Sequence, residues 1–442
     1  MKFWTRARGV GVLGIVLTVL LLLIVNTNLN RKLSDAKAAS PDKAPASVWA
    51  YDSRLYTPKP GEKPGAPPVF TITLPTLGSI LVIGGLLIAG GGTLFARNPE
   101  RRGIAPYMST VIAMSFVVIL LWGTAGGATA RGSDLADTLS RIIRIATPLV
   151  LGALAGLVCE RSGVVNIGIE GMMLAAACFG YTGALIMGNV FSSSGSFPVW
   201  IGVIIAVLTG GLMAALHALL SIRYKVDQII SGTVINIMAI GITGYIRSNF
   251  IINYESPVRA GLQDAPIPLL SDIPLIGPIL FDHKPITYMM LLMVGLMHVL
   301  LFRTVWGLRT RAIGENPKAA DTVGINVNAM RFRNVVIGGM IAGLAGAWFG
   351  LESTFRFDDL MTNGAGFIAL AAMIFGKWTP LGAFGGALLF SSANALQLKV
   401  QDNIGLAPQF LQMLPYIVTI IVLAGVIGRA RPPAAVGQPY EK

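Results

Sequence analysis

The sequence predicts an all-α, polytopic integral membrane protein of about twelve transmembrane helices, with nine as a lower bound. Three observations lead there. Of 442 residues, 54% are hydrophobic and only 12% carry charge, about half the charged share usual in soluble domains. Apolar runs approaching or reaching the roughly 17–25 residues that cross a bilayer recur along the chain. The basic excess, a formal net charge of +13, gathers at the ends of those runs, where membrane topology requires it. It is therefore not read as a nucleic-acid-binding surface.

Taken in order, Lys2, Arg6 and Arg8 precede an apolar run from Gly9 to Val25. The polar stretch Asn26–Asn30 lacks a small-residue cleavage pattern, so residues 1–30 are expected to be a retained anchor rather than a signal peptide. From Arg31 to Pro68 the chain turns to Ala, Lys and Ser with seven prolines, a composition unable to bury a core. Residues 31–70 are expected to be a flexible extracytoplasmic linker. Two extra spans follow within 71–130, at about 76–95 and 107–124. The main body, 131–430, holds apolar runs at 145–158, 163–187, 198–221, 228–250, 285–302, 334–351, 365–376, 380–397 and 413–428. Two of these, 145–158 and 365–376, are short enough to be broken or re-entrant. Residues 431–442 form a tail.

The charges set the orientation. Placing the N-terminus in the cytoplasm puts Arg97, Arg101, Arg102, Arg161, Arg223, Lys225, Arg303, Arg331, Arg333 and Lys377 inside, and an even span count returns the basic C-terminus there too. Both termini are thus expected to be cytoplasmic. The long connection 303–333 is then inside. The proline-rich connection Ser256–Pro285 is outside, either a stiff docking surface or a plain connector.

One stretch stands apart, Cys159–Leu174, C-E-R-S-G-V-V-N-I-G-I-E-G-M-M-L. It sets Glu170 and Asn166 among apolar residues and glycines. A charged side chain at mid-bilayer costs about 2.5–3.5 kcal/mol on insertion scales, so it should face protein or water. Glycines at 163, 168 and 171 permit close backbone approach or a helix break. Two readings stay open: Glu170 lines a pathway, or it sits at a helix end bonded to backbone N–H groups. Glycine pairs at 152/156, 339/343, 346/350 and 382/386 predict tight helix packing. The similar strings at 151–157 and 340–347 hint at two repeated halves.

In the 303–333 connection lies A-I-G-E-N-P-K-A-A-D-T-V-G-I-N, Ala312–Asn326. Asn316 suits an N-cap, Pro317 the first helical position and Gly324 the C′ position. A helix of about two turns outside the membrane is expected, either transmitting force from a motor or capping a loop. No P-loop is found. His217, His283 and His298 lack ligand spacing, so no metal is expected. Cys159 and Cys178 imply no disulfide framework.

Three strings, V-V-N-I-G-I-E-G-M-M-L (164–174), A-I-G-E-N-P-K-A-A-D-T-V-G-I-N (312–326) and G-F-I-A-L-A-A-M-I-F-G-K-W-T-P-L-G-A (366–383), resemble bacterial ABC-importer permeases. The superfamily serves branched-chain amino acids, simple sugars and nucleosides, and the match runs from about 140 to 428. Where sugar permeases tend to carry G-I-D-L-S-V-G, this chain has N-I-G-I-E-G-M-M, which is similar to the nucleoside type that works with basic-membrane-protein lipoproteins. The resemblance implies a non-enzymatic permease in the bacterial cytoplasmic membrane that binds no cofactor. Its implied partners are an ABC ATPase, a second, related permease chain and an external substrate-binding lipoprotein. It places Asn166, Gly168, Glu170, Gly171 and Met172 near the translocation path. It makes Gly314, Glu315, Asn316, Pro317, Lys318, Ala319, Ala320, Asp321 and Gly324 the coupling segment. A simple-sugar permease is the runner-up. An ion-coupled carrier is less favoured, because Glu170 is read as alone among the spans and such carriers usually show several intramembrane carboxylates.

Overall fold

The computed structural model describes residues 135–191, 196–252, 261–273, 276–404 and 431–441, with 52–56, 72–97 and five isolated positions before residue 27. The expected spans 107–124 and 413–428, and nearly all of the first anchor, lie outside the described residues. The chain is a polytopic helical membrane protein: among the described residues, six helices are long and apolar enough to cross a membrane.

The chain divides into two compact units. The first comprises Met1–Ile142, Ile267–Phe281 and Ser392–Arg429. It contains two short strands within the helical architecture. β1 (Asp52–Tyr56) pairs antiparallel with β2 (Ile72–Pro75), with an irregularity between Arg54 and Tyr56. α1 (Thr76–Arg97) follows directly. A short helix, α2 (Ile276–Leu280), lies in the proline-rich connection, where Ile267 N–H donates to the Phe281 carbonyl at 3.0 Å.

The second unit comprises Ile143–Pro266, Asp282–Ser391 and Ala430–Lys442. α3 (Leu135–Arg161) is far longer than the run 145–158. Its first turns carry Asp137 and Arg141, an exposed i,i+4 pair 3.9 Å apart, so charge there marks a solvated helix face rather than a helix end. Pro148 lies inside it. Then come α4 (Ile169–Val190), α5 (Phe197–Ala218) and α6 (Gln228–Ile246). The last two continue into π-helical turns, Leu219–Arg223 and Arg247–Ile251. α7 (Pro285–Arg303) leads to α8 (Val305–Glu315), α9 (Pro317–Thr322) and α10 (Val327–Ala347), the last extended by a π-helical turn, Trp348–Ser353. α11 (Ala365–Phe375) and α12 (Pro380–Ile404) complete the described helices.

Small residues decide how these helices meet. On α5, Gly202, Ala206, Gly210 and Ala214 recur every four residues and are buried, forming one stripe. Gly339 and Gly343 of α10 lie against it: a methyl added at Gly343 would stand 2.5 Å from the Ala206 carbonyl oxygen. Gly346 of α10 meets α4 in the same way, 2.3 Å from the Met173 carbonyl. The glycine pairs at 339/343 and 346/350 therefore mark backbone-to-backbone contact. α10 is packed on α4 and α5, and Gly338 brings it onto Cys159 and Ala155 of α3.

Candidate functional site

The segment between α3 and α4 is a helix break. Gly163 ends α3 at φ +93°, and the Cys159 carbonyl accepts from both Ser162 N–H and Val164 N–H. Non-helical backbone inside a membrane protein needs side-chain partners, and α5 and α6 supply them. Gln228 accepts from Val165 N–H at 2.7 Å. His217 Nε2 donates to the Val165 carbonyl at 3.0 Å, and its Nδ1 lies 3.0 Å from Ser231 Oγ. Asn236 accepts from Gly171 N–H at 2.8 Å and donates to the Ile167 carbonyl at 3.1 Å. A methyl on Gly232 would stand 2.8 Å from Gly168 N, so these two glycines let α6 lie against the break.

Asn166 is fully buried. Its Nδ2 lies 3.6 Å from Cys159 Sγ and from Met172 Sδ, and its Oδ1 has no hydrogen-bond partner. Gly168 precedes α4, Gly171 packs on Asn236, and Met172 is buried.

Glu170, in the first turn of α4 and half-buried, faces the N-terminus of α11. Oε1 accepts from Thr362 Oγ1 at 2.6 Å and Gly364 N–H at 2.8 Å; Oε2 accepts from Gly366 N–H at 2.6 Å. The carboxylate thus receives N–H groups that a helix start leaves unpaired and sits at the positive end of its dipole. Gly364 adopts φ +78°, and a methyl on Gly366 would stand 2.6 Å from Glu170 N. The far end of α11 is held by the same stretch: Trp378 Nε1 donates to Glu160 Oε2 at 2.6 Å, and Arg161 Nε donates to the Trp378 carbonyl at 2.9 Å. The first and third strings singled out in the sequence therefore meet, and C-E-R…I-E-G brackets an eleven-residue helix.

Glu170 is not alone, contrary to the sequence reading. Glu352, at the end of the α10 extension, is 3% exposed and accepts from Ile286 N–H and Thr287 Oγ1, each at 2.7 Å, at the start of α7. The hydropathy boundary at 351 left it just outside its span.

The second string folds as its capping residues require. Asn316 accepts from Ala319 N–H at 3.1 Å, Pro317 opens α9, and Gly324 follows it at φ +84°. Ile325 N–H reaches the Ala320 carbonyl at 3.1 Å, the long bond of a Schellman close. Lys318, Ala319 and Thr322 are exposed while Ala320 is buried with Ile313, Val327 and Met330. Gly314 is buried against α3; a methyl there would stand 2.2 Å from the Arg161 carbonyl. Glu315 is exposed and Asp321 half-buried.

Residues 138–423 match the model of the branched-chain amino acid transport system permease component. Among curated relatives, the guanosine ABC transporter permease protein NupQ of Bacillus subtilis is 39% identical over 327 residues, 70% of this chain and 99% of the relative. The nucleoside ABC transporter permease protein NupC of Lactococcus lactis is 36% identical, covering 69% and 96% of the two chains. The putative glucose ABC transporter permease protein TsgC13 of Haloferax volcanii is 33% identical, covering 70% and 99%. No solved structure matches.

Proposed function

The chain belongs to the branched-chain amino acid transport system permease family, and from that premise we propose that it is the membrane subunit of an ABC importer for nucleosides. The observation that carries the substrate reading is the 39% identity to a guanosine permease over 99% of that relative's length. ATP is hydrolysed by a separate ATPase. A second, related permease completes the channel, and an external lipoprotein delivers the solute. The protein resides in the bacterial cytoplasmic membrane with about twelve spans and both termini inside. Contacts of the C-terminal residues with Gly314 and Glu315 support placing tail and coupling segment on one side.

Asn166, Gly168, Glu170, Gly171 and Met172 lie at the translocation path, within a break held by side chains of α5 and α6 rather than by continuous helix. Residues Gly314–Gly324 couple to the ATPase. The exposed side of α9 faces away from the Ile313–Val327–Met330 cluster, the arrangement a docking helix needs. The proline-rich connection serves the receptor; Leu269 there is 84% exposed.

The test is uptake of labelled guanosine into vesicles containing the permease pair with its ATPase and receptor. Guanosine uptake that requires ATP and resists excess glucose supports the reading. ATP-driven glucose uptake instead would replace the substrate, and gradient-driven uptake without ATPase would replace the mechanism.

A further inference from the structure

The C-terminal residues 431–441 carry no apolar run, yet they are built into the second unit. Ala435 N–H donates to the Gly314 carbonyl at 2.9 Å, and Ala434 N–H to Glu315 Oε2 at 3.2 Å. Two residues later, Gly437 N–H donates to the Gly163 carbonyl at 3.2 Å, where α3 breaks. Tyr440, 9% exposed, completes the cluster of Ile313, Ala320, Val327 and Met330 beneath α9. Glu441 pairs with Lys225 at 2.7 Å, a solvent-exposed contact that adds little.

Arg331 explains why so short a segment is held. It is 2% exposed. Its Nε donates to the Ser162 carbonyl at 3.0 Å and its Nη1 to the Gln438 carbonyl at 2.8 Å, while Nη2 has no partner. A buried cation is costly unless its donors are met, and a planar guanidinium spans two acceptors in fixed geometry. One acceptor belongs to the helix break and the other to the tail. Gly163 leaves the guanidinium room, since a methyl there would stand 2.5 Å from Nη2.

We propose that Ala434–Tyr440 is a clasp, pinned by Arg331, that makes the coupling segment and the α3–α4 break move as one body. Apart from it, the coupling segment meets the break at Gly314, against the Arg161 carbonyl and Gly163 N. With it, a displacement of α9 carries Gly163 and Ser162, and through them the segment leading to Asn166. Arg331 and the tail are positioning elements. The role in transport rests on the reading given under Proposed function; the mechanical linkage does not.

The experiment compares the full chain with a truncation after Pro432, with Arg331→Ala and with Tyr440→Ala, which trims one rim side chain should truncation prevent assembly. Hydrogen exchange in detergent reads the linkage without any transported solute. Amides of 314–321 and of 163–166 are expected to exchange at least tenfold faster together, while those of α5 stay within twofold. Faster exchange at 314–321 alone would reduce the tail to a helix cap and overturn the proposal, as would no change at either segment. In vesicles with ATPase and receptor, guanosine imported per ATP hydrolysed is expected to fall at least fivefold while basal hydrolysis stays within twofold. Loss of uptake and hydrolysis in equal measure would also overturn it, since that marks failed assembly rather than lost coupling. A wild-type complex that imports no guanosine would refute the substrate reading and leave the exchange result to decide the clasp.

Discussion

Glu170→Gln and Glu170→Leu separate the two readings of this carboxylate, and the structure sets their sizes. The carboxylate receives two backbone N–H groups and one hydroxyl at 2.6–2.8 Å. Leucine removes every acceptor. The Thr362 hydroxyl can rotate to another partner, but Gly364 N–H and Gly366 N–H cannot. A buried donor left unpaired costs about 1–3 kcal/mol. Because Glu170 is half-buried, water recovers part of that, and the lower half of the range applies. Two orphaned donors then cost about 2–4 kcal/mol, with a further 0.3–1 or so for the charge lost at a helix N-terminus. Glutamine keeps one oxygen and turns an NH2 group toward the other donor, so about 1 kcal/mol is expected. The assay is hydrogen exchange at residues 366–368 in detergent. Protection should fall by roughly fivefold for Gln and by about fortyfold or more for Leu, since 1.4 kcal/mol is tenfold. Unchanged protection in the leucine variant would refute the helix-end role. Wild-type uptake by that variant would remove Glu170 from the path.

Ala320→Pro should cost about 3 kcal/mol in α9, because Ala320 N–H bonds the Asn316 carbonyl; receptor-stimulated ATP hydrolysis and uptake should both fall while the permease still assembles, and intact uptake would make α9 a loop cap. Asn316→Ala, losing the cap on Ala319 N–H, should give a milder defect of about 1 kcal/mol in the same assay. Gly343→Ala should overpack α10 on α5 by about 1–3 kcal/mol, seen as a lowered melting temperature in detergent, whereas Gly241→Ala, with nothing within 4 Å, should not. Membrane-impermeant thiol reagents on intact cells should modify a cysteine at Ser47 but not one at Gln438, and the reverse pattern would invert the topology.

What the sequence made legible was local. Helices around 198–221, 228–250, 285–302 and 334–351 follow from apolar length, and the capping of α9 from Asn316, Pro317 and Gly324 at their required offsets. Pairing was not legible. Glu170 meets Thr362 across 192 positions and Trp378 meets Glu160 across 218, and hydropathy carries no information about which ends meet. Arg141 and Arg144 shortened the reading of α3, because a charge inside an apolar pattern looks like a boundary when it can equally lie on a solvated face. The tail was passed over because Ala434, Ala435 and Gly437 act through backbone groups, which leave no side-chain signature.

The partners of Glu170 and Glu352 bear on where energy enters. An ion-coupled carrier needs a carboxylate whose oxygens exchange between a proton or cation and other partners. Here each oxygen of Glu170 and of Glu352 accepts a backbone N–H or a hydroxyl at a helix start. These contacts hold the starts of α11 and α7 in place. On the reading proposed above, force reaches these helices mechanically, through the capped helix between α8 and α10.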